Sequence, residues 1–515
     1  MKRYAGVLLS VTSLPSKHGI GCFDRAAYDF VDFLARAGQR YWQILPLGST
    51  SYGGSDDSPY QAFSAFAGNP YMISLDELVR EGVLTEAECE SADFGSNPAR
   101  VDFDKLHENR LALLHRAYER SNVGSDPEFH SFCAANHWWL DDYALFMALK
   151  SYFQDAAYRQ WPEDIRMHWG FALDYYNREL YFDVEFQKYL QYKFDAQWTR
   201  LKAYANEKGI QIVGDIPIYV SPDGADVWAH PELFQLDGHN APVAVAGCPP
   251  DGFAAEGQVW GSPLYRWDLH RATDYEWWVT RMWYSFKLYD VVRIDHFRGF
   301  DEYFSIPAGD KTALGGHWEQ GPGMDLFNTI HRRLGPVHII AEDLGYMTDS
   351  VRQLVRDSGY PNMKVLQFAV DPKDVAGSNE YWPHNYSQNC VVYTGTHDNE
   401  TVSGWLRGLS REAMAQVRSY LCNPDTPDSQ LYRSLINLAM ASCARDCIIP
   451  IQDYLGLGNE ARMNQPATVG KNWRWRLTPG QVTEKLAEEI LAVTLRTNRA
   501  NWDALPKKDA EESEE

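Results

Sequence analysis

Asp290-Val291-Val292-Arg293-Ile294-Asp295-His296 has the pattern of a buried strand with a charged end. It is a short, largely β-branched apolar run that ends in charged residues. Continuous apolar runs of this length fit strands covered on both faces, as in parallel sheets. Seven other segments share the pattern: Gly6 to Val11, Tyr41 to Leu47, Ile210 to Val220, Val337 to Glu342, Met363 to Val370, Cys390 to Thr394 and Cys447 to Gln452. Helical patterns lie between them. Asp24 is placed to cap a helix with Ala27, Phe30, Val31 and Leu34 on one face, and Gly38 stops it. Further helices are expected over Phe194 to Asn206, Asp274 to Leu288, Asp325 to Leu334, Asp349 to Asp357, Ser429 to Ser442 and Gln481 to Arg499. Eight strands alternating with helices predict an α/β fold, a (β/α)8 TIM barrel.

The spacing is uneven. Roughly 160 residues separate the second and third runs and roughly 70 the third and fourth, too many for bare loops. The sequence therefore predicts one catalytic barrel over residues 1–506 with inserted subdomains. A helical insert is expected at about 73–200, including Leu106 to Arg120 and Trp139 to Phe153. Substrate-covering loops are expected at about 221–267, which is rich in Gly, Pro and Trp. Residues 507–515 read as an acidic disordered tail, and no C-terminal β-sandwich domain is expected.

Composition removes several classes. The 515 residues carry 48 Lys and Arg against 70 Asp and Glu, a net charge of −22. A nucleic-acid binder needs a basic face, and an anionic membrane repels such a chain. Neither nucleic acid nor membrane is an expected partner. No apolar run reaches 18 residues, and the run from Ala5 to Val11 is too short for a signal segment. The 8 cysteines include no C-x-x-C pair and read as reduced, buried thiols of a cytoplasmic protein. The 18 Trp and 30 Tyr are numerous, and flat rings with polar edges suit a neutral sugar.

In a barrel, polar residues at strand carboxyl ends are the candidates for chemistry. The third run ends in Gly214-Asp215-Ile216-Pro217, the fourth in Arg293-Ile294-Asp295-His296, the fifth in Ala341-Glu342-Asp343 and the seventh in Thr396-His397-Asp398-Asn399. Asp295, Glu342 and Asp398 converge on one mouth, beside Arg293, His296 and His397. One ionised and one protonated carboxyl suit glycosidic chemistry. Arg293, two residues before Asp295 on the same strand face, would keep it ionised. Glu342 would need a raised pKa. The imidazoles and the third acid could bind hydroxyls. The same acids and histidines could also be metal ligands, although no H-x-H or H-E-x-x-H pair is present. Gly456-Leu457-Gly458-Asn459-Glu460-Ala461 imitates a dinucleotide fingerprint but lacks the following βαβ unit.

At these residues the sequence resembles the amylomaltases, the 4-α-glucanotransferases of the α-amylase clan. The resemblance runs from Ser13-Leu14-Pro15-Ser16 to Asn472-Trp473-Arg474-Trp475-Arg476. It includes Trp42-Gln43-Ile44-Leu45-Pro46-Leu47, Ser58-Pro59-Tyr60-Gln61, Pro249-Pro250-Asp251 and Gly257-Gln258-Val259-Trp260-Gly261. It implies Asp295 as nucleophile, Glu342 as general acid/base and Asp398 as transition-state stabiliser. It implies Tyr60, Asp215, Trp260, Arg293, His296, His397, Asn464, Ser58, Phe253 and Gln258 as substrate-binding residues. It implies no metal and no cofactor, with maltooligosaccharide, amylose or glycogen-derived donors and glucose or maltodextrin acceptors. The link Ser51 to Asp57 is longer than is usual in the family, and Gly252 stands where some members carry tyrosine. A retaining α-glucan hydrolase and a non-catalytic glucan-binding protein are the alternatives. Transfer requires that a bound sugar hydroxyl outcompete water, and the segment with Phe253 and Trp260 is the expected cover.

Overall fold

The structure is a computed structural model that describes residues 2–50, 57–250, 255–422 and 424–505. Eight parallel strands close into a barrel in sequence order: Tyr4–Leu8, Tyr41–Gln43, Gln211–Pro217, Val291–Asp295, Ile339–Ala341, Asn362–Val365, Cys390–Tyr393 and Asp446–Pro450. The register pairs Val213 with Val291, Asp215 with Arg293 and Pro217 with Asp295. Alternate side chains point into the barrel. Leu8, Val213, Val291, Ile340, Met363, Val391 and Ile448 belong to one buried cluster there. Their neighbours Ile212, Ile294, Ile339, Val392 and Ile449 join the larger core shared with the helices. On the third and fourth strands the inward positions change along the chain from valine to charged residues. That change places the site at the carboxyl end.

Several strands stop before the apolar runs do. The first ends at Leu8, and Val11–Ser13 turn as a 3-10 helix. The second ends at Gln43, although Ile44 still donates its N–H to Val213 at 2.9 Å. The sixth gives way to the 3-10 turn Leu366–Ala369, and the eighth to the helix Ile451–Tyr454. These carboxyl ends are buried by folding over the barrel rim. Burial keeps them apolar without requiring strand geometry.

The barrel helices follow the expected signals. Asp24 caps Arg25–Arg36 by accepting from the Ala26 N–H, and Gly38 beyond its end has φ of 67°. Gly359, φ 70°, closes Asp349–Ser358 in the left-handed conformation that glycine adopts without strain. Between the second and third strands lie two long helices, Pro127–Tyr152 and Tyr181–Glu207. The second reaches further back than Phe194, because the insert and the barrel share one continuous helix. It packs Phe194 and Trp198 on Phe23 at 5.2 and 5.4 Å.

An antiparallel sheet stands outside the barrel, in the order Gln258–Pro263, Ala244–Cys248, Glu302–Pro307, His317–Gln320. Its strands come from the connections on both sides of the fourth barrel strand. Val245, Phe304, Ile306 and Ala313 form its small core. Among the described residues no helix is long and apolar enough to cross a membrane. Among the described residues no disulfide is present, but the expectation that all cysteines are buried fails: Cys422 and Cys443 are exposed and Cys133 and Cys248 are half-buried. The Gly456–Ala461 segment is no dinucleotide turn. It is a short 3-10 turn at Asn459–Ala461, with Asn459 donating to Glu400 at 2.6 Å.

Candidate active site

Arg293 organises the floor of the barrel mouth. Its Nη1 donates to both Asp215 carboxylate oxygens, at 2.7 and 2.6 Å, and its Nη2 to Asp295 Oδ1 at 2.8 Å. Both contacts follow from register and alternation: Asp215 lies beside Arg293 on the next strand, and Asp295 two residues further along the same face. Asp215 has no exposed surface and Arg293 is 3% exposed. Asp215 and Arg293 are thus held beneath Tyr60 and Asp295, to which they are hydrogen-bonded. Charge-assisted bonds of this kind hold a carboxylate in one orientation. Burial raises the Asp295 pKa, and the Arg293 cation opposes that rise.

Glu342 sits one strand further round, without a cation of its own among the described residues. Its Oε2 accepts from the His296 N–H at 2.7 Å and its Oε1 from the Leu344 N–H at 2.6 Å. Burial first, then the Asp295 charge, pushes its pKa up to about 8. The two carboxyls thus differ in surroundings: burial and the Asp295 charge both raise Glu342, whereas at Asp295 the adjacent guanidinium opposes the rise.

The seventh strand carries the opposite wall. The Asp398 carboxylate accepts from Asn464 Nδ2 at 2.6 Å and lies 3.4 Å from His397 Nε2. Arg462 holds the Asp398 carbonyl at 2.8 Å. The Tyr60 ring stacks on His397 at 5.1 Å with an interplanar angle of 21°. Its hydroxyl donates to Asp215 at 2.8 Å. Burial, then the Asp215 charge, raises the phenol well above its ordinary pKa, so it stays a donor. Ser58 Oγ accepts from the Tyr60 N–H at 3.3 Å, which sets the turn that presents the ring.

The outer sheet covers the other side. Trp260 meets the edge of His296 at 4.8 Å and 89°, and its indole N–H donates to Gln258 at 3.1 Å. His296 has a left-handed backbone, φ 55°, which turns the chain sharply after Asp295 and aims its N–H at Glu342. Burial, with Arg298 nearby, lowers its imidazole pKa to about 3, so the ring is neutral.

The fold thus brings Asp295, Glu342, Asp398, Tyr60, Arg293, Asp215, His296, His397, Asn464, Ser58, Trp260 and Gln258 to one end of the barrel. Ser58 and Gln258 orient Tyr60 and Trp260 through the hydrogen bonds above. Phe253, Gly252 and the link over 51–56 lie outside the described residues. Among the described residues no group of three His, Cys, Asp or Glu side chains gathers as a metal site would require.

Three contributors escaped the sequence reading. Trp473 lies 5.7 Å from Tyr60 and 5.9 Å from His397, backing the stacked pair. Its segment was part of the resemblance, but no spacing marks its approach to the mouth. Asp453 follows the eighth strand and accepts from Thr394 Oγ1 at 2.6 Å and from the Val402 N–H at 2.8 Å, anchoring the seventh-strand loop. The strand-end rule applied to the eighth run would have found it. Arg298 lies over the Trp318 ring at 3.9 Å and donates to the Tyr346 carbonyl, linking the outer sheet to the loop after Glu342.

Comparison with known proteins fits this geometry. Residues 9–483 match the 4-alpha-glucanotransferase family. A 4-alpha-glucanotransferase of Clostridium butyricum is 46% identical over 489 residues, covering 94% of this chain and 99% of the relative. One from Thermus thermophilus is 43% identical, covering 97% of this chain and 99% of the relative. The solved amylomaltase of Streptococcus agalactiae, in complex with acarbose, superposes with a TM-score of 0.93 at 40% identity, covering 97% of this chain and all of that one.

Proposed function

The chain belongs to the 4-alpha-glucanotransferase family, and from that premise we propose how its residues divide the transfer of α-1,4-glucan segments. Asp295 attacks the anomeric carbon of the donor. Glu342 gives its proton to the departing 4-oxygen, leaving a glycosyl ester on Asp295. The 4-hydroxyl of a second glucan then loses its proton to Glu342 and takes the glycosyl group from Asp295. Two inversions give net retention. The observation that carries this reading is the sorted carboxyl pair: Glu342 raised to about 8, Asp295 tied to Arg293.

The other residues hold the sugar. Asp398, fixed by Asn464, accepts hydroxyl hydrogen bonds that strengthen as the ring flattens. Tyr60 and His397 offer a stacking face, and Trp260 with Phe253 covers the acceptor. His296 binds a hydroxyl through its neutral ring, whose buried Nε2 has no hydrogen-bond partner among the described residues. Arg293 and Asp215 position rather than touch the substrate. Donors are maltooligosaccharides, amylose or glycogen-derived chains, and acceptors are glucose or maltodextrins. Residues 1–506 act as one catalytic unit, with 73–200 as its helical insert and 221–267 as covering loops. A core continuous from Ala5 to Ile490 supports that unity. Eight cysteines without a C-x-x-C pair support a cytoplasmic setting, and the expected result of cell fractionation is recovery with cytosolic markers.

The test is incubation of the pure protein with maltotriose. Glucose and longer maltodextrins at constant total reducing ends are expected. Rising reducing ends without longer products would mean hydrolysis, and the cover over the acceptor would not be excluding water.

A further inference from the structure

The helical insert carries a feature that the active site does not use. Its short helix Gly170–Glu179 and the start of Tyr181–Glu207 expose an aromatic surface. Trp169, Phe171, Tyr175 and Phe182 are 45%, 64%, 52% and 76% exposed, and Tyr152 from the neighbouring helix is 58% exposed. Trp169 meets Phe171 at 5.8 Å. Tyr175 and Tyr152 both touch Tyr176, at 5.1 and 6.0 Å. Phe171 and Tyr175 are four residues apart and share one face of their helix. Single exposed rings are ordinary, but five of them on helices that pack on one another form a candidate binding surface.

The patch is firmly seated on the side of the barrel that holds the mouth. Asp223, in the connection leaving the third strand, accepts from Lys150 Nζ at 2.9 Å and from the Tyr158 N–H at 2.8 Å. Trp228, in the same connection, donates to the Ile165 carbonyl at 2.8 Å and packs on His168 at 4.5 Å. Charge selects the occupant. Between residues 151 and 183 there are Asp155, Glu163, Asp164, Asp174, Glu179 and Asp183 against Arg159, Arg166 and Arg178. Two copies of an acidic face on chains of net charge −22 repel. A neutral polymer incurs no such cost, and Trp and Tyr rings stack on the apolar faces of sugars while their polar edges stay wet.

We propose that this aromatic surface is a second, non-catalytic site for long α-glucans, which tethers polymeric substrate beside the mouth. The choice of ligand rests on the glucan-transfer reading above. A chain held at the patch raises the local concentration of its ends at the mouth. Maltotriose is too short to benefit.

The experiment compares the parent with a Trp169→Ala/Phe171→Ala/Tyr175→Ala variant, and with Tyr175→Ser alone, in native gels containing glycogen. Glycogen kinetics, maltotriose kinetics, melting temperature and sedimentation are measured alongside. The triple variant is expected to lose retention and to raise KM for glycogen by about five- to tenfold. Its maltotriose kinetics and melting temperature should stay at parental values, and Tyr175→Ser should fall between. Unchanged glycogen retention in both variants overturns the proposal. So does a parent dimer that becomes monomeric in the variant with retention intact, which would make the patch a contact between copies. A parent retained through the patch yet inactive on maltotriose would overturn the transfer reading and leave the second site standing.

Discussion

Asp295 and Glu342 end neighbouring strands, and both are pushed upward in pKa by burial, yet their surroundings differ. Asp295 has a guanidinium at 2.8 Å, locked in turn by Asp215. Glu342 has two backbone N–H donors and, among the described residues, no ion pair. Neutral donors favour the carboxylate less than a full cation does, so the shared charge settles on Asp295. The partner, not the acid itself, distinguishes the two carboxyls.

The comparison breaks most visibly if Asp295 is changed. Asp295→Asn should lower kcat by about 10⁴-fold or more, with an unchanged melting curve. Substantial activity in that variant would remove Asp295 from the bond-making role. Glu342→Gln should cost about 10²- to 10⁴-fold. With a glycosyl fluoride donor, whose leaving group needs no proton, the loss in the first step should shrink, and added azide should speed turnover of the ester. A loss equal for fluoride and maltotriose would argue against proton donation by Glu342.

Arg293→Met tests the sorting itself. It leaves Asp215 and Asp295 without their cation, and breaking a buried pair costs about 3–5 kcal/mol of stability. Its melting temperature should fall well below that of Asp295→Asn. The pH profile follows from Glu342. The proton donor disappears as pH rises through about 8, so kcat/KM should fall on the alkaline side with a limb there. The stability sign is the same. A carboxyl whose folded pKa is raised contributes stability below its unfolded pKa, and that contribution is lost as pH rises through about 8. Between about pH 5 and pH 8 the melting temperature should therefore decline less in Glu342→Gln than in the parent. The smallest effect belongs to Tyr60→Phe. It removes one hydrogen bond to Asp215, worth about 1–3 kcal/mol where a buried acceptor is left short, and should chiefly raise KM.

Much of the site was legible because strand-end chemistry is local. Asp215, Arg293, Asp295, Glu342 and His397 each follow a short apolar run, and alternation alone puts Arg293 and Asp295 on one face. The outer sheet was not legible. Its strands are contributed by two separate connections, and Glu302–Pro307 pairs with Ala244–Cys248 across nearly sixty residues. Nothing within either segment announces the other. The approach of Trp473 to Tyr60 joins residues 413 positions apart and has no sequence spacing either.

The residue order alone carried the alternation of eight apolar strand runs with helices, the charged residues at their carboxyl ends and the net charge of −22. Those properties follow from burial periodicity and composition, which are written residue by residue. The difference between the surroundings of the two carboxyls came from the folded arrangement. That depends on barrel register, which seats Arg293 between Asp215 and Asp295, and on the left-handed turn at His296 that directs an N–H to Glu342. The folded arrangement also decided that the helical insert presents its rings to solvent rather than to the core, because exposure is a property of packing and not of residue type.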